Sequence, residues 1–212
     1  MKILSVNVSL PKSVEINGKD VLTGIYKEER AGRLRVGKLG LEGDGQADLT
    51  VHGGEYQALY GYPFEHYAHW QAVFGGAAFP FGTFGENLTF SGLLETDIFV
   101  GDLLRVGGAI LQVTMPRLPC FKLGHKLGRP SILKEFLRSG YSGYYFRVAE
   151  EGAIGAGDAA EWVQRDPRAI SIRTLLGLQR FGEGDEALVR RTLEIESLGP
   201  PARRDLEARL AA

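Results

Sequence analysis

Cys120 is the only cysteine in this 212-residue chain, and it stands among prolines and bases: Pro116, Arg117, Pro119, Cys120, Lys122, with His125, Lys126 and Arg129 close behind. A thiolate, not a thiol, is the nucleophile and the metal ligand, and neighbouring cations favour the thiolate. The residue types therefore suit nucleophilic chemistry or coordination of a soft, redox-active metal. A lone cysteine also serves as a small buried hydrophobe. In an extended segment Arg117 and Cys120 point to opposite faces, so the sequence alone leaves open whether they meet.

Two glycine-rich stretches offer further binding groups. His52 precedes Gly53 and Gly54 in "DLTVHGGE". Exposed backbone amides beside an imidazole can form an anion-binding nest, and the same pattern can be a plain turn. In "TFGENLT", Gly85 permits close approach of a ligand, and Asn87 can donate and accept at once. Asn87 and Thr89 could equally cap a loop. Glu86 reads as structural or exposed. His66 and His69 are three apart on an expected helix, where a solvated face is expected rather than zinc, because one cysteine leaves too few further ligands. The chain has no Walker phosphate loop, dinucleotide fingerprint or serine nucleophile elbow.

These residues need elements to hold them. Leu4, Val6, Val8 and Leu10 alternate, predicting a strand over 2–10 with those four on one face. Residues 32–41 alternate less cleanly, and "YQALYGY" (56–62) predicts a buried strand. Residues 63–76 predict a helix opened by Pro63, with Phe64, Tyr67, Trp70 and Phe74 on one side and Gly75 at its end. Residues 81–92 read as a glycine-punctuated loop. Two apolar runs around Gly107-Gly108 predict a hairpin over 97–116, which leaves Cys120 on a proline-stiffened loop just past a strand end. A short helix over 131–140, capped by Ser131 and stopped by Gly140, follows. Residues 143–165 predict a further hairpin and strand. After "RDPRA" the period stays near 3.6, and helices are expected over 171–181, 185–198 and 202–211.

Composition narrows the field. Lys+Arg is 25 against Asp+Glu 26, a net charge of −1, which argues against a protein drawn to nucleic acid by bulk charge. Residues 171–212 hold seven arginines and seven acids, so the last three helices lack the footprint of a DNA-binding unit. Docking or packing on the main body is expected of them. No apolar run approaches a membrane span, and no signal peptide is expected from "MKILSVNVSLPKS". With one cysteine, neither an internal disulfide nor a four-cysteine iron–sulfur cluster can form, and a reducing, cytoplasmic setting is expected.

Several stretches, in order, carry a family resemblance. "TGIYKEERAGRLRVGKLGLEGDGQADLTVHGG" (23–54), "FGENLT" (84–89), "VGDLLRVGGAILQVTMPRLPCFKL" (100–123) and "GYYFRVAEEG" (143–152) resemble the MOSC family, named for the C-terminal domain of molybdenum cofactor sulfurase. The similarity is to the bacterial type with a three-helix appendage. It implies an α+β chain: a β-rich, barrel-like domain over 1–168 and a small all-α domain over 169–212. It implies that the molybdenum cofactor (molybdopterin) is bound, with Cys120 as the catalytic, molybdenum-coordinating sulfur. It places His52, Gly53, Gly54, Asn87, Arg117 and Lys122 in the cofactor pocket. The implied activity is reduction of N-hydroxylated small molecules such as hydroxylamino-purines. Its electrons would come from a separate flavoprotein or iron–sulfur protein, and homodimers are compatible with the family. A non-catalytic cofactor carrier is the alternative. One departure stands out: where the family pattern "HGGxxKA" has lysine, this chain has Gln57, one cation fewer.

Overall fold

A computed structural model describes residues 1–47, 53–76 and 78–211. In chain order the strands are β1 (Lys2–Val8), β2 (Lys12–Ile16), β3 (Lys19–Thr23), β4 (Glu28–Glu29), β5 (Arg33–Gly37), β6 (Gly40–Leu41), β7 (Leu59–Pro63), β8 (Leu88–Ser91), β9 (Leu103–Val106), β10 (Ala109–Pro116), β11 (Tyr144–Glu150), β12 (Gly152–Gly155) and β13 (Ala160–Gln164). The helices are α1 (Glu65–Val73), α2 (Phe121–Lys126), α3 (Ile132–Ser139), α4 (Ile172–Arg180), α5 (Glu186–Leu193) and α6 (Pro200–Leu210).

The main sheet has eight strands in the order β13-β9-β10-β11-β7-β8-β1-β4; β12-β5-β6 forms a second sheet and β2-β3 a hairpin. All main-sheet pairs are antiparallel except β7 with β8. The mixed α+β class is as expected. The barrel-like expectation is corrected: the ladder does not close among the described residues, and only an isolated bridge, Lys2 to Ala159, links its two flanks.

The β9–β10 hairpin forms because Gly107 sits at φ 55°, a conformation that disfavours side chains. A Cβ there would lie 2.2 Å from Asp158 Oδ2. β10 ends at Pro116, paired with Tyr144. Helices α4 and α5 start on side-chain caps, Ser171 accepting from the Thr174 amide and Asp185 from the Leu188 amide. The apolar faces of α4, α5 and α6 join the sheet's core: Leu175, Leu178, Val189, Ala202 and Leu206 belong to one buried cluster with Ile3, Val6, Leu111 and Val113. A second cluster is aromatic, built from Tyr60, Tyr62, Tyr67, Trp70, Phe84 and Phe136.

The structure departs from the sequence reading in several places. A register shift between Ile3 and Ser5 breaks the simple alternation of β1. Ile3 is consequently buried, Leu4 only half so, and Leu10 lies outside the strand and exposed. The strand expected at 56–62 begins at Leu59, after a 3-10 turn over Glu55–Gln57. Pro63 ends that strand instead of opening α1. The supposed loop at 81–92 contains β8, whose residues 88–90 are buried and show no alternation. The segment 143–165 is no hairpin: β11 pairs with β10 and β7, whereas β12 crosses to β5. Ser131 makes no capping bond and donates to Glu135. His66 is buried, its Nε2 2.7 Å from Glu95 Oε2, so only His69 fits the solvated face.

Candidate functional site

The chain turns sharply after β10. Residues 117–120 are irregular, and Cys120, extended at φ −116°, ψ 166°, leads into α2. This turn resolves the question of opposite faces, because Arg117 and Cys120 line one pocket. Lys122, Asn87 and Gly53 line it too, with Thr23 to Ile25, Lys27, Asp44 to Ala47, Gln57, Tyr60, Gly85 and Tyr145. Of the site residues expected from sequence, five therefore meet: Gly53, Asn87, Arg117, Cys120 and Lys122. Gly54 does not line the pocket and accepts the Gln57 amide in the 3-10 turn. His52 lies outside the described residues.

Each side chain is held for a physical reason. Cys120 is half-buried. Arg117 is 5% exposed, with its guanidinium 5.3 Å from the ring centre of Tyr60 and 5.5 Å from that of Phe136. Its Nη1 is buried and has no hydrogen-bond partner among the described residues. Burial opposes the Arg117 charge, but Tyr60, Tyr145 and Cys120 together outweigh it and push its pKa up. Burial also pushes the phenols of Tyr60 and Tyr145 up, so they stay neutral. An orphaned buried guanidinium nitrogen is costly to leave unpaired, and an anion in the pocket would satisfy it.

Asn87 is largely occupied with the protein. Its Oδ1 accepts from the Tyr60 amide at 3.1 Å, and its Nδ2 reaches Asp44 Oδ2 at 2.9 Å. It ties β7 and the 44–47 loop together at the pocket wall. Lys122 donates to the Leu22 carbonyl at 3.3 Å, fastening α2 to the end of β3. One turn on, Lys126 donates to the Ile25 and Gly82 carbonyls at 2.9 and 2.8 Å. Burial pulls Lys126 down to about 8, against the opposing pull of Glu86. Glu86 is fully buried and its carboxyl is pushed up by burial. It receives Tyr67, Thr89 and the amides of Gly82 and Phe84, so it is structural as expected but not exposed. It braces the loop carrying Gly85, which sits at φ 84° and where a Cβ would lie 2.9 Å from Ile25 Cγ1.

Sequence reasoning missed Lys27 and Asp44. Their side chains are over nine-tenths buried and 2.5 Å apart, and both line the pocket. Both sit inside the quoted motifs, in "TGIYKEE" and "GLEGDGQAD", but nothing local in their spacing pairs them. Among the described residues, no group of three or more His, Cys, Asp or Glu could hold a metal. No helix there is long and apolar enough to cross a membrane.

The fold and site define a mixed α+β protein whose single cysteine shares a pocket with three cationic side chains. The MOSC domain model matches residues 48–161, and the chain belongs to the MOSC domain family. The "Uncharacterized protein YflK" of Bacillus subtilis is 40% identical over 171 residues, covering 81% of this chain and 77% of that one. The crystal structure of YiiM from Geobacillus stearothermophilus superposes with a TM-score of 0.84 at 34% identity, over 99% of this chain and 98% of that chain. A protein named "Reductase" from Gibberella moniliformis is 32% identical over 151 residues, 70% of this chain but only 27% of its own length.

Proposed function

We propose that the pocket binds the molybdenum cofactor and that the loaded protein reduces N-hydroxylated small molecules, with electrons from a separate flavoprotein or iron–sulfur protein. MOSC domains are associated with this cofactor, and the fungal relative is named a reductase. The observation that carries the reading is the Arg117 Nη1, buried without a partner among the described residues, on a side chain that lines the pocket holding the sole cysteine. The residues present fit the group. Cys120 is a soft sulfur ligand for a redox transition metal. Arg117, with Lys122 nearby, holds the anionic phosphate or pterin edge. Gly53 and Gly85, both in the pocket wall, offer backbone for close approach.

When bound, the cofactor supplies two-electron redox capacity at the metal. The chain's own part is positioning and electrostatics. Asn87 and Asp44 fix the wall, and Glu86 and Lys126 brace it from behind. Tyr60 and Tyr145, their rings tilted by 45° to each other, supply an aromatic lining for a heterocycle. The one-cysteine composition supports a reducing, cytoplasmic setting.

The test compares the protein with Cys120→Ser after expression in a host that makes the cofactor. Molybdenum content and pterin fluorescence are measured, then turnover of a hydroxylamino substrate with an artificial electron donor. Stoichiometric molybdenum and turnover, both lost with serine, is the expected result. Equal molybdenum in both forms, or none in either, overturns the coordination. Bound molybdenum with no turnover points to a cofactor carrier.

A further inference from the structure

Breaking an N–O bond reductively consumes protons as well as electrons: R–NH–OH + 2 e− + 2 H+ gives R–NH2 + H2O. Metal and pterin account for the electrons, which the separate donor replaces. The departing oxygen still needs a proton inside a pocket whose wall is largely buried. The pocket-lining groups differ sharply in their ability to give one. A guanidinium such as Arg117 does not surrender its proton. The buried phenols of Tyr60 and Tyr145 are held neutral and are weak acids. Asp44 is an acceptor, receiving the Ser9 amide at 2.8 Å, Asn87 Nδ2 at 2.9 Å and Lys27 at 2.5 Å. Lys122 is committed to the Leu22 carbonyl at the exposed rim. Glu86 and Lys126 do not line the pocket and are spent on backbone groups.

Lys27 remains. We propose that it is a catalytic acid of this pocket: its ammonium gives a proton to the leaving oxygen as the N–O bond breaks, while Asp44 holds it in place. The second proton, to nitrogen, comes from solvent, and solvent recharges the amine. This rests on the reductase reading above. Lys27 Nζ has three hydrogens, and Asp44 is its one hydrogen-bond partner among the described residues. Burial acts to lower its pKa and outweighs Asp44, which favours the charge, as does Glu86 more distantly. Lys126 on α2 and Lys27 repel each other as like charges, and Arg117 and Lys122 line the same pocket. An amine so placed gives up a proton more readily than a solvated lysine.

The experiment uses the cofactor-loaded protein, its Lys27→Met and Lys27→Arg variants, and Lys27→Gln should the methionine variant fail to fold. Molybdenum content, kcat, KM and the pH dependence of kcat are measured for a hydroxylamino substrate. Separately, the side-chain nitrogens of 15N-lysine-labelled apo protein are titrated by NMR. The expected result is unchanged molybdenum in all variants and kcat reduced about 10²- to 10⁴-fold in each, arginine included. KM should shift less than about threefold, and the alkaline fall of the wild-type rate should vanish. One lysine signal, absent from Lys27→Arg, should titrate below the ordinary lysine range. Full activity of Lys27→Arg, or molybdenum lost in Lys27→Met but kept in Lys27→Arg, overturns the proposal and makes Lys27 a fixed cation. A wild type that holds molybdenum yet never turns over overturns the reductase reading itself.

Discussion

Two buried pairs of base and carboxylate are built alike. In the pocket, Lys27 meets Asp44 at 2.5 Å, and Asp44 also accepts the Ser9 amide. In the second pair His66 meets Glu95 at 2.7 Å, and Glu95 accepts the Gly143 amide at 2.7 Å. The difference is what covers them. His66 is roofed by Tyr141, stacked at 3.9 Å, and its pair fastens α1 to the turn before β11. The Lys27 pair lines an open pocket. Burial and pairing are therefore shared by structural and functional groups, and access is what separates them.

The largest effect comes from removing each carboxylate. Asp44→Ala leaves an ammonium buried without a counter-charge and the Ser9 amide without its acceptor, while Asn87 Nδ2 keeps only the Asn7 carbonyl. The expected loss is about 3–5 kcal/mol of stability. Glu95→Ala removes the acceptor of the Gly143 amide and the partner of the His66 ring nitrogen. About 1–3 kcal/mol is expected there. Urea unfolding of both variants reads the ratio. Equal losses would break the comparison, because they would mean that the lysine was no more dependent on its partner than the histidine.

How legible these groups are in the sequence follows from how local their causes are. Ser171 and Asp185 cap helices through residues three along, and Gly107 sets its hairpin in place, so α4, α5 and β9–β10 could be read directly. Cys120 was readable because it is unique and prolines delimit its loop. Lys27 and Asp44 stand on either side of β4, β5 and β6 in the chain, and only tertiary structure joins them. Strand β8 was missed for a related reason. It lies between β7 and β1, with residues 88–90 buried on both faces, and so loses the alternation that marks a strand. His66 was misread because helical spacing shows which residues share a face, but not that Glu95 would cover that face.

A second effect sharpens the electrostatics behind the pocket. Lys126 titrates near 8 in the fold, against an ordinary value of 10.5. Below pH 8 both folded and unfolded chains carry the proton. Between 8 and 10.5 the unfolded chain binds more of it, so stability rises with pH through that window. The gain is at most about 3 kcal/mol. Replacing Lys126 by Met should remove this rise from a series of urea melts at pH 7.5 to 10.5. A variant whose stability climbs as steeply as the parent's would show that burial does not burden this ammonium.

The smallest effect concerns Gln57, which lines the pocket where the family pattern has lysine. Its Oε1 accepts the Gly53 amide at 3.3 Å, and its carbonyl accepts Gln46 Nε2 at 3.2 Å. A lysine has no acceptor, so Gln57→Lys loses the first bond and keeps the second. The expected stability change is about 0.5–1.5 kcal/mol, matched by Gln57→Leu, which loses the same bond. The two variants should part in binding. Lysine adds a cation beside Lys27, Arg117 and Lys122, so affinity for inorganic phosphate, followed by calorimetry on the apo protein, should rise a few-fold and fall again with salt. Leucine should leave it unchanged. If lysine and leucine bind phosphate alike, Gln57 acts only as a clamp on the glycine loop, and pocket charge is set entirely by the cations already there.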